Sequence, residues 1–262
     1  MKLAVQDGLL PGRSLAEKLD NAARYGFDGI ELGGGWLLEH GDEVVRALEN
    51  HPVKVSSICS GYRGCLLDPV KAERDKAVGD MEKLLQLGGR IGATGLIFVP
   101  VFGGPRLLDL SPYRTAIDLE HELLADLLDR LSDTAEKSKC LLLLEPLNRY
   151  ETHMINRLEQ AVAVAKRVKR KGLAVMADLF HMSIEEDDLS SAICGAGKLI
   201  RHVHLADSQR LQPGTGHTDF RGAFRALKES GFSGYMALEC GVRGPAATAL
   251  PACVKFMRKQ MR

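Results

Sequence analysis

One pattern recurs along the chain: a short apolar run, a polar or glycine-rich loop, and then a stretch with helical periodicity. The apolar runs are continuous rather than alternating, as in residues 140–144, which is typical of parallel strands that are covered on both faces. There are eight runs, centred near Leu3, Ile30, Val55, Ile97, Leu142, Val175, Val203 and Ala237. The chain therefore belongs to the α/β class.

The stretches between the runs predict helices. Ser14 followed by Glu17 predicts a capping box at the start of the first helix. Another stretch has one apolar stripe, formed by Leu119, Leu123, Leu124, Leu127, Leu128 and Leu131. Eight strand–helix units within 262 residues, without a linker, predict a single (β/α)8 TIM barrel domain over residues 1–262. A doubly wound sheet is the alternative, and the strand count argues against it.

Composition and cysteine usage limit the partners and the compartment. A formal net charge of +1 argues against a nucleic-acid partner, for which a basic face is expected. The longest apolar run, residues 96–102, is far shorter than the roughly 20 residues of a membrane helix. The apolar run at the N-terminus is too short for the core of a signal peptide. The six cysteines include no C-x-x-C pair, so we expect reduced thiols and a cytoplasmic protein.

The last four apolar runs end in residues that can bind a metal ion or transfer a proton: Glu145, Asp178, His204 and Glu239. The separations between them are 33, 26 and 35 residues, each about one strand–helix unit. Since the carboxyl ends of parallel barrel strands surround one mouth, we expect the four side chains to converge there. The alternative is that each residue is an isolated strand-end acid or helix cap. Four such residues at equivalent strand ends make this explanation the weaker one.

Three carboxylates brought together would repel one another, and a divalent cation would remove that repulsion. Carboxylate oxygens with one imidazole and no thiolate favour Mn²⁺ or Mg²⁺, with Co²⁺ also compatible, and we expect Mn²⁺. His202 lies two residues before His204, so we expect it to point into the barrel as a hydrogen-bonded residue rather than as a ligand.

Four segments carry a resemblance to a known family: LEPLNRYE (144–151), DLFH (178–181), HVHLADSQR (202–210) and ALE (237–239). They resemble the xylose isomerase-like TIM barrels, and within that superfamily the ketose 3-epimerases of the D-tagatose 3-epimerase type. The specific motifs lie in the C-terminal half, whereas the eight-unit layout covers the whole chain.

The resemblance implies roles for the residues in these segments. It implies that Glu145, Asp178, His204 and Glu239 bind a Mn²⁺-type ion, and that Glu145 and Glu239 also transfer protons. It implies that the substrate oxygens near C1 to C3 are held by Glu151, His181 and Arg210. For His181 a surface position, and for Arg210 a solvated loop position, are the alternatives.

The predicted function is a metal-dependent sugar epimerase that inverts C3 of a ketose through an enediolate, with the two glutamates as the acid–base pair. A hydroxypyruvate isomerase-like or other aldose–ketose isomerase, and a lyase for a keto sugar or C-glycoside, are alternatives. An endonuclease IV-like nuclease is disfavoured, because the loops at 32–35 and 57–61 lack its extra histidines. A catalytically inactive binding module would lack one of the metal ligands or one of the catalytic bases, and none of these residues is missing. A homo-oligomer stays open.

Other residues near the predicted mouth have weaker assignments. Glu31 ends the second apolar run, and we expect it to face the mouth or the solvent without a direct role. We expect Cys59 to behave as a small buried apolar residue, with a position lining the pocket as the alternative. Residues 33–35 are all glycine and predict a tight loop, with Trp36 as an apolar wall over the sugar.

Overall fold

The fold is a closed barrel of parallel strands surrounded by helices. The structure, a computed structural model, describes residues 1–49 and 51–262. Within these residues each strand pairs with the next, and the last pairs with the first. The strands are β1 (Lys2–Gln6), β2 (Gly29–Gly33), β3 (Lys54–Cys59), β4 (Gly95–Phe98), β5 (Leu141–Leu144), β6 (Leu173–Asp178), β7 (Ile200–Leu205) and β8 (Tyr235–Leu238). Each contains one of the predicted apolar runs, so the predicted (β/α)8 fold is confirmed.

The helices follow the strands in the predicted order. They are α1 (Leu15–Tyr25), α2 (Gly34–Leu48), α3 (Lys71–Ile91), α4 (Ala116–Ser138), α5 (Leu158–Val168), α6 (Leu179–Glu185), α7 (Leu189–Ala196), α8 (Phe220–Glu229) and α9 (Ala246–Gln260). The capping box of α1 is confirmed, because Ser14 Oγ accepts from the backbone N–H of Glu17 at 3.2 Å and the Glu17 carboxylate accepts in return. The predicted leucine stripe lies in α4. Among the described residues, no helix has both the length and the apolarity needed to span a membrane.

The strands are buried on both faces, which explains their continuous apolar runs. One face packs against the helices in the main core, and the other fills the barrel with a smaller cluster that includes Ile97, Leu143 and Met176. Because strand residues alternate between faces, the residues two positions after Leu143 and Met176 also face the interior. These residues are Glu145 and Asp178, which places both carboxylates at the carboxyl-end mouth.

The cysteines agree with the expected reduced state. All six are free in the structure, and Cys140 and Cys253 are buried. Burial raises the pKa of both thiols to about 12, so they stay protonated and unreactive near neutral pH.

Candidate metal centre

The structure brings the four strand-end residues together. Glu145, Asp178, His204 and Glu239 each offer one ligand atom, and these atoms all lie within 4.8 Å of one another. His204 is central: its Nδ1 is 3.1 Å from Glu239 Oε2, 3.3 Å from Glu145 Oε1 and 3.8 Å from Asp178 Oδ2. We call these four residues the quartet.

The chemistry of the quartet fits a divalent cation. Two of its buried atoms, Glu145 Oε1 and His204 Nδ1, have no hydrogen-bond partner among the described residues. A buried polar atom without a partner is costly, and coordination would satisfy both atoms. Burial opposes a charge on His204, but the surrounding carboxylates, Glu239 first, raise its pKa well above the ordinary value. The pocket therefore stabilises positive charge, and its oxygen-rich donor set suits Mn²⁺ or Mg²⁺.

The two glutamates of the quartet have different environments. Burial, reinforced by the charges of Glu239 and Asp178, raises the pKa of Glu145 to about 7 despite the nearby His204. Burial also opposes ionisation of Glu239, but the charges of His204 and Arg210 outweigh it and lower the pKa of Glu239 to about 2. Two carboxyl groups whose pKa values are pushed apart are typical of acid–base pairs.

A buried glutamate lies beneath the quartet. Glu31 accepts hydrogen bonds from His204 Nε2 at 3.0 Å, His202 Nε2 at 2.9 Å, Ser57 Oγ at 2.6 Å and Gln6 Nε2 at 3.0 Å. The side chain of Glu31 is fully buried against a quartet residue, so the solvent-facing position that we allowed is wrong, and its lack of a direct role stays a prediction. The sequence did hold a signal, a single acid within the apolar run of β2. His202 is hydrogen bonded inside the barrel, as expected.

Two further residues reach Glu239 from the early strands. Gln6 Nε2 donates to Glu239 Oε1 at 2.8 Å, and Cys59 Sγ donates to the same oxygen at 3.7 Å. Cys59 is therefore a half-buried contact of the quartet, which agrees with the pocket-lining alternative and not with the buried apolar residue that we expected. Gln6 was not singled out in the sequence, since a glutamine at the end of the first strand matches no ligand or catalytic pattern.

Arg210 lies against the quartet. Its Nη1 is 3.1 Å from Asp178 Oδ2 and 3.0 Å from His181 Nε2, and its Nη2 pairs with Glu239 Oε2. The guanidinium also stacks over the ring of Phe180, 4.6 Å from its centroid. Arg210 is thus not a solvated loop arginine.

His181 and Glu151 are joined by an asparagine at the rim. The backbone nitrogen of Asn148 lies 3.2 Å from His181 Nδ1 and its side-chain nitrogen lies 2.8 Å from the same atom, while the side-chain amide also donates to Glu151 Oε1 at 2.9 Å. His181 is buried, so the surface alternative is wrong. The side chain of Glu151 is 44% exposed, and its Oε1 lies 3.8 Å from His181 Nδ1. Asn148 was not singled out because its role depends on these two partners.

The glycines after β2 form a close backbone contact. Gly34 begins α2, and a Cβ at this position would lie 1.9 Å from the carbonyl oxygen of Ser60. The expected tight geometry is therefore present, although it lies at the start of a helix. Trp36 stacks on His40, with ring centroids 4.7 Å apart, and its contact with a sugar stays a prediction.

A closed parallel barrel with acidic residues and a histidine at the carboxyl ends of its strands is the arrangement of a TIM-barrel enzyme. Residues 19–260 match the family model described as xylose isomerase-like TIM barrel, and the chain belongs to this family. The predicted resemblance is confirmed.

Named relatives refine this assignment. The chain is 32% identical over 245 residues to the 3-dehydro-D-guloside 4-epimerase of Escherichia coli strain K12, and the match covers 93% of each chain. It is 37% identical over 110 residues to the ketose 3-epimerase of Arthrobacter globiformis, covering 42% of this chain and 38% of that protein. The crystal structure of 3-keto-D-glucoside 4-epimerase from E. coli superposes with a TM-score of 0.90 at 30% identity over 99% of both chains. These relatives are sugar epimerases, which are isomerases, so the predicted enzyme class is confirmed.

Proposed function

We propose that this protein is a divalent-cation-dependent sugar epimerase that inverts a carbon next to the carbonyl of a keto sugar. One observation carries the proposal. Glu145 and Glu239 follow β5 and β8, which β6 and β7 separate around the barrel, and both carboxylates come within 3.3 Å of the same nitrogen of His204. Inversion of a carbon needs an acid–base group on each face, and two glutamates from separated strands provide that arrangement.

The roles of the chain's residues follow from their surroundings. One glutamate removes the proton from the substrate carbon, and the other returns a proton to the opposite face. A cation held by the quartet, for which we propose Mn²⁺, would supply positive charge against the negative charge that develops on the substrate. Glu145 and Glu239 face this step with different proton affinities, since only Glu239 is paired with Arg210 and Gln6.

Arg210, His181 and Glu151 are proposed to bind the sugar oxygens. Arg210 and His181 lie side by side next to Asp178, and Glu151 reaches the same rim through Asn148. Their donors and acceptors match the hydroxyl and carbonyl groups of a sugar. We also propose that residues 1–262 form one domain and that the protein is cytoplasmic.

The position of the inverted carbon has two candidates. The matched segments and the relatives named ketose 3-epimerase favour C3 of a ketose. The relative that matches over 93% of the chain is named as a 4-epimerase of a 3-dehydro-guloside, which favours C4 of a 3-keto glycoside. Both carbons are adjacent to the carbonyl, so the same acid–base pair serves either reaction.

The test is hydrogen exchange with solvent. Purified protein with added Mn²⁺ in D₂O is mixed with free ketohexoses, ketopentoses, 3-keto-D-glucosides or hydroxypyruvate and followed by NMR. We expect deuterium to enter C3 of a ketose, or C4 of a 3-keto glucoside, together with inversion at that carbon. Label at C1 or C2 with formation of an aldose would instead identify an aldose–ketose isomerase. A sample treated with chelator is the control.

A further inference from the structure

The two ring nitrogens of His204 face different neighbours. Nδ1 faces the carboxylates of the quartet and has no hydrogen-bond partner among the described residues. Nε2 lies 3.0 Å from Glu31 Oε1 and 3.1 Å from Glu31 Oε2. An ionised carboxylate can only accept hydrogen bonds, so Nε2 must carry the proton in this contact. A neutral ring with its proton on Nε2 leaves a lone pair on Nδ1.

We propose that Glu31 is a positioning residue that keeps the proton of His204 on Nε2 and so presents Nδ1 to the cation, an inference that rests on the cation site of the proposed function. The hydrogen bond of one imidazole nitrogen decides which nitrogen can bind a metal. Carboxylates that hold metal-binding histidines in this way tune affinity without touching the ion.

The surroundings of Glu31 keep it an acceptor. Its carboxylate is fully buried and receives hydrogen bonds from three strands: β1 through Gln6, β3 through Ser57, and β7 through His202 and His204. All four of these groups donate hydrogen bonds to Glu31. None of them needs a proton on the Glu31 carboxylate in order to bond with it. The orientation of His204 is therefore fixed from β2 and not only by its own strand.

Glu31 also acts on a second member of the quartet. The amide of Gln6 donates to Glu31 Oε1 at 3.0 Å and to Glu239 Oε1 at 2.8 Å. One amide group thus joins the positioning carboxylate to a candidate ligand. Loss of the acceptor at Glu31 should disturb Glu239 as well as His204.

The variant Glu31→Gln separates this role from simple packing. Glutamine keeps the size of the side chain but offers one acceptor oxygen and an NH₂ group that faces donors. Where that NH₂ faces His204, the ring must accept at Nε2 and carry its proton on Nδ1, which blocks coordination. We expect the Kd for Mn²⁺ to rise by about 10- to 100-fold.

Titration with Mn²⁺ alone, by calorimetry or by electron paramagnetic resonance of the free ion, measures this effect. The matched control is Glu120→Gln. Glu120 is equally buried and accepts from His153 Nε2 at 2.7 Å, but its other hydrogen bonds run to the backbone of Arg106 and Leu107. We expect this control to leave the Kd for Mn²⁺ unchanged. An unchanged Kd in Glu31→Gln would overturn the proposal.

A spectroscopic measurement on the natural sequence needs no variant. In protein labelled with ¹⁵N-histidine and loaded with diamagnetic Zn²⁺, we expect the His204 ring to show a slowly exchanging Nε2–H and a metal-shifted Nδ1. A proton on Nδ1, or Zn²⁺ on Nε2, would overturn the proposal even if Glu31→Gln fails to fold. Wild-type protein that inverts no sugar would remove the proposed function, whereas a Glu31-dependent Kd for Mn²⁺ would still support this inference.

Discussion

Arg210 and Asp178 form an ion pair in which Nη1 lies 3.1 Å from Oδ2, and the same guanidinium pairs with Glu239. Two members of the quartet, Asp178 and Glu239, therefore also lie next to the positive guanidinium of Arg210. Such a pair of carboxylates can hold a cation on one side and the arginine on the other. In the proposed function, this arginine would bind a sugar oxygen beside the reacting carbon.

We expect Arg210→Ala to raise the KM for the keto sugar by about tenfold or more, since a hydrogen bond to a charged group contributes about 1.5–3 kcal/mol. Mn²⁺ should bind at least as tightly, because a competing positive charge is removed. Steady-state kinetics and a Mn²⁺ titration measure the two effects. Arg225→Ala, on the exposed face of α8, is the control. Weaker Mn²⁺ binding with an unchanged KM would contradict the assignment.

Either Glu145→Gln or Glu239→Gln should lower kcat by about 10²- to 10⁴-fold, the usual contribution of a general acid or base. The amide has nearly the same shape as the carboxyl group but cannot accept and return a proton. Circular dichroism and thermal unfolding should show that the barrel still folds. Near-normal turnover in one of the two variants would exclude a scheme with two bases.

Removal of the cation should abolish turnover and destabilise the fold. Exhaustive chelation leaves three carboxylates around His204, and the Arg210 guanidinium pairs with two of them, Asp178 and Glu239, but not with Glu145. Mn²⁺ at 100 times its Kd should stabilise the native state by about 2.7 kcal/mol, which corresponds to roughly 5–10 °C in Tm for a chain of this size. Differential scanning fluorimetry with and without Mn²⁺ measures the shift. Full activity after chelation, with an unchanged Tm, would end the case for a metal enzyme.

Asp207 organises the loop that carries Arg210. Its carboxylate accepts hydrogen bonds from the backbone N–H groups of Ser208, Gly214, Thr215, Gly216 and Thr218. Burial alone would raise the pKa of Asp207, but these N–H groups outweigh it and hold the pKa below its ordinary value. A lowered pKa in the folded state stabilises the protein above the unfolded pKa of about 3.9, and this stabilisation is lost as the pH falls through the folded pKa.

We therefore expect Asp207→Asn to lower the free energy of unfolding by about 1.5–3 kcal/mol at pH 7. The difference from the natural protein should shrink as the pH falls below the unfolded pKa of about 3.9 and then through the lowered folded pKa of Asp207. Urea unfolding at a series of pH values provides the comparison. A difference that stays constant down to pH 3 would show that the ionised carboxylate is not what holds the loop.

The fold and the quartet were predictable because both depend on local or regular features. Each apolar run identifies one strand, and spacings of 33, 26 and 35 residues place the last four strand ends at one mouth. The closed barrel then converts these regular spacings into spatial contact, as the structure shows for His204 and Glu239.

The supporting residues were not predictable, because their partners lie far away in the sequence. His204 and Glu31 are 173 residues apart, and Gln6 and Glu239 are 233 residues apart. A lone acid within an apolar run, such as Glu31, indicates a buried polar position but not its partner, and a glutamine at a strand end indicates neither. Only the register of the closed barrel brings β1, β2 and β3 against β7 and β8.

The contact between the loops after β2 and β3 offers a stability test with an internal control. Gly33→Ala adds a Cβ in open space at a φ of −68°, which any residue adopts, so its free energy of unfolding should stay the same or rise by up to about 1 kcal/mol. In Gly34→Ala the added Cβ would lie 1.9 Å from the carbonyl oxygen of Ser60. Backbone must move to accept it, and we expect a loss of about 1–3 kcal/mol.

The Gly34→Ala substitution should also affect the candidate metal centre. Ser60 directly follows Cys59, whose thiol contacts Glu239 Oε1 at 3.7 Å, so a displaced loop would shift a neighbour of the proposed acid–base pair. We expect a lower kcat in Gly34→Ala and an unchanged kcat in Gly33→Ala. Urea unfolding and steady-state kinetics of the two variants provide the comparison. Equal stability and equal turnover would show that the two loops do not support each other as closely as their backbones indicate.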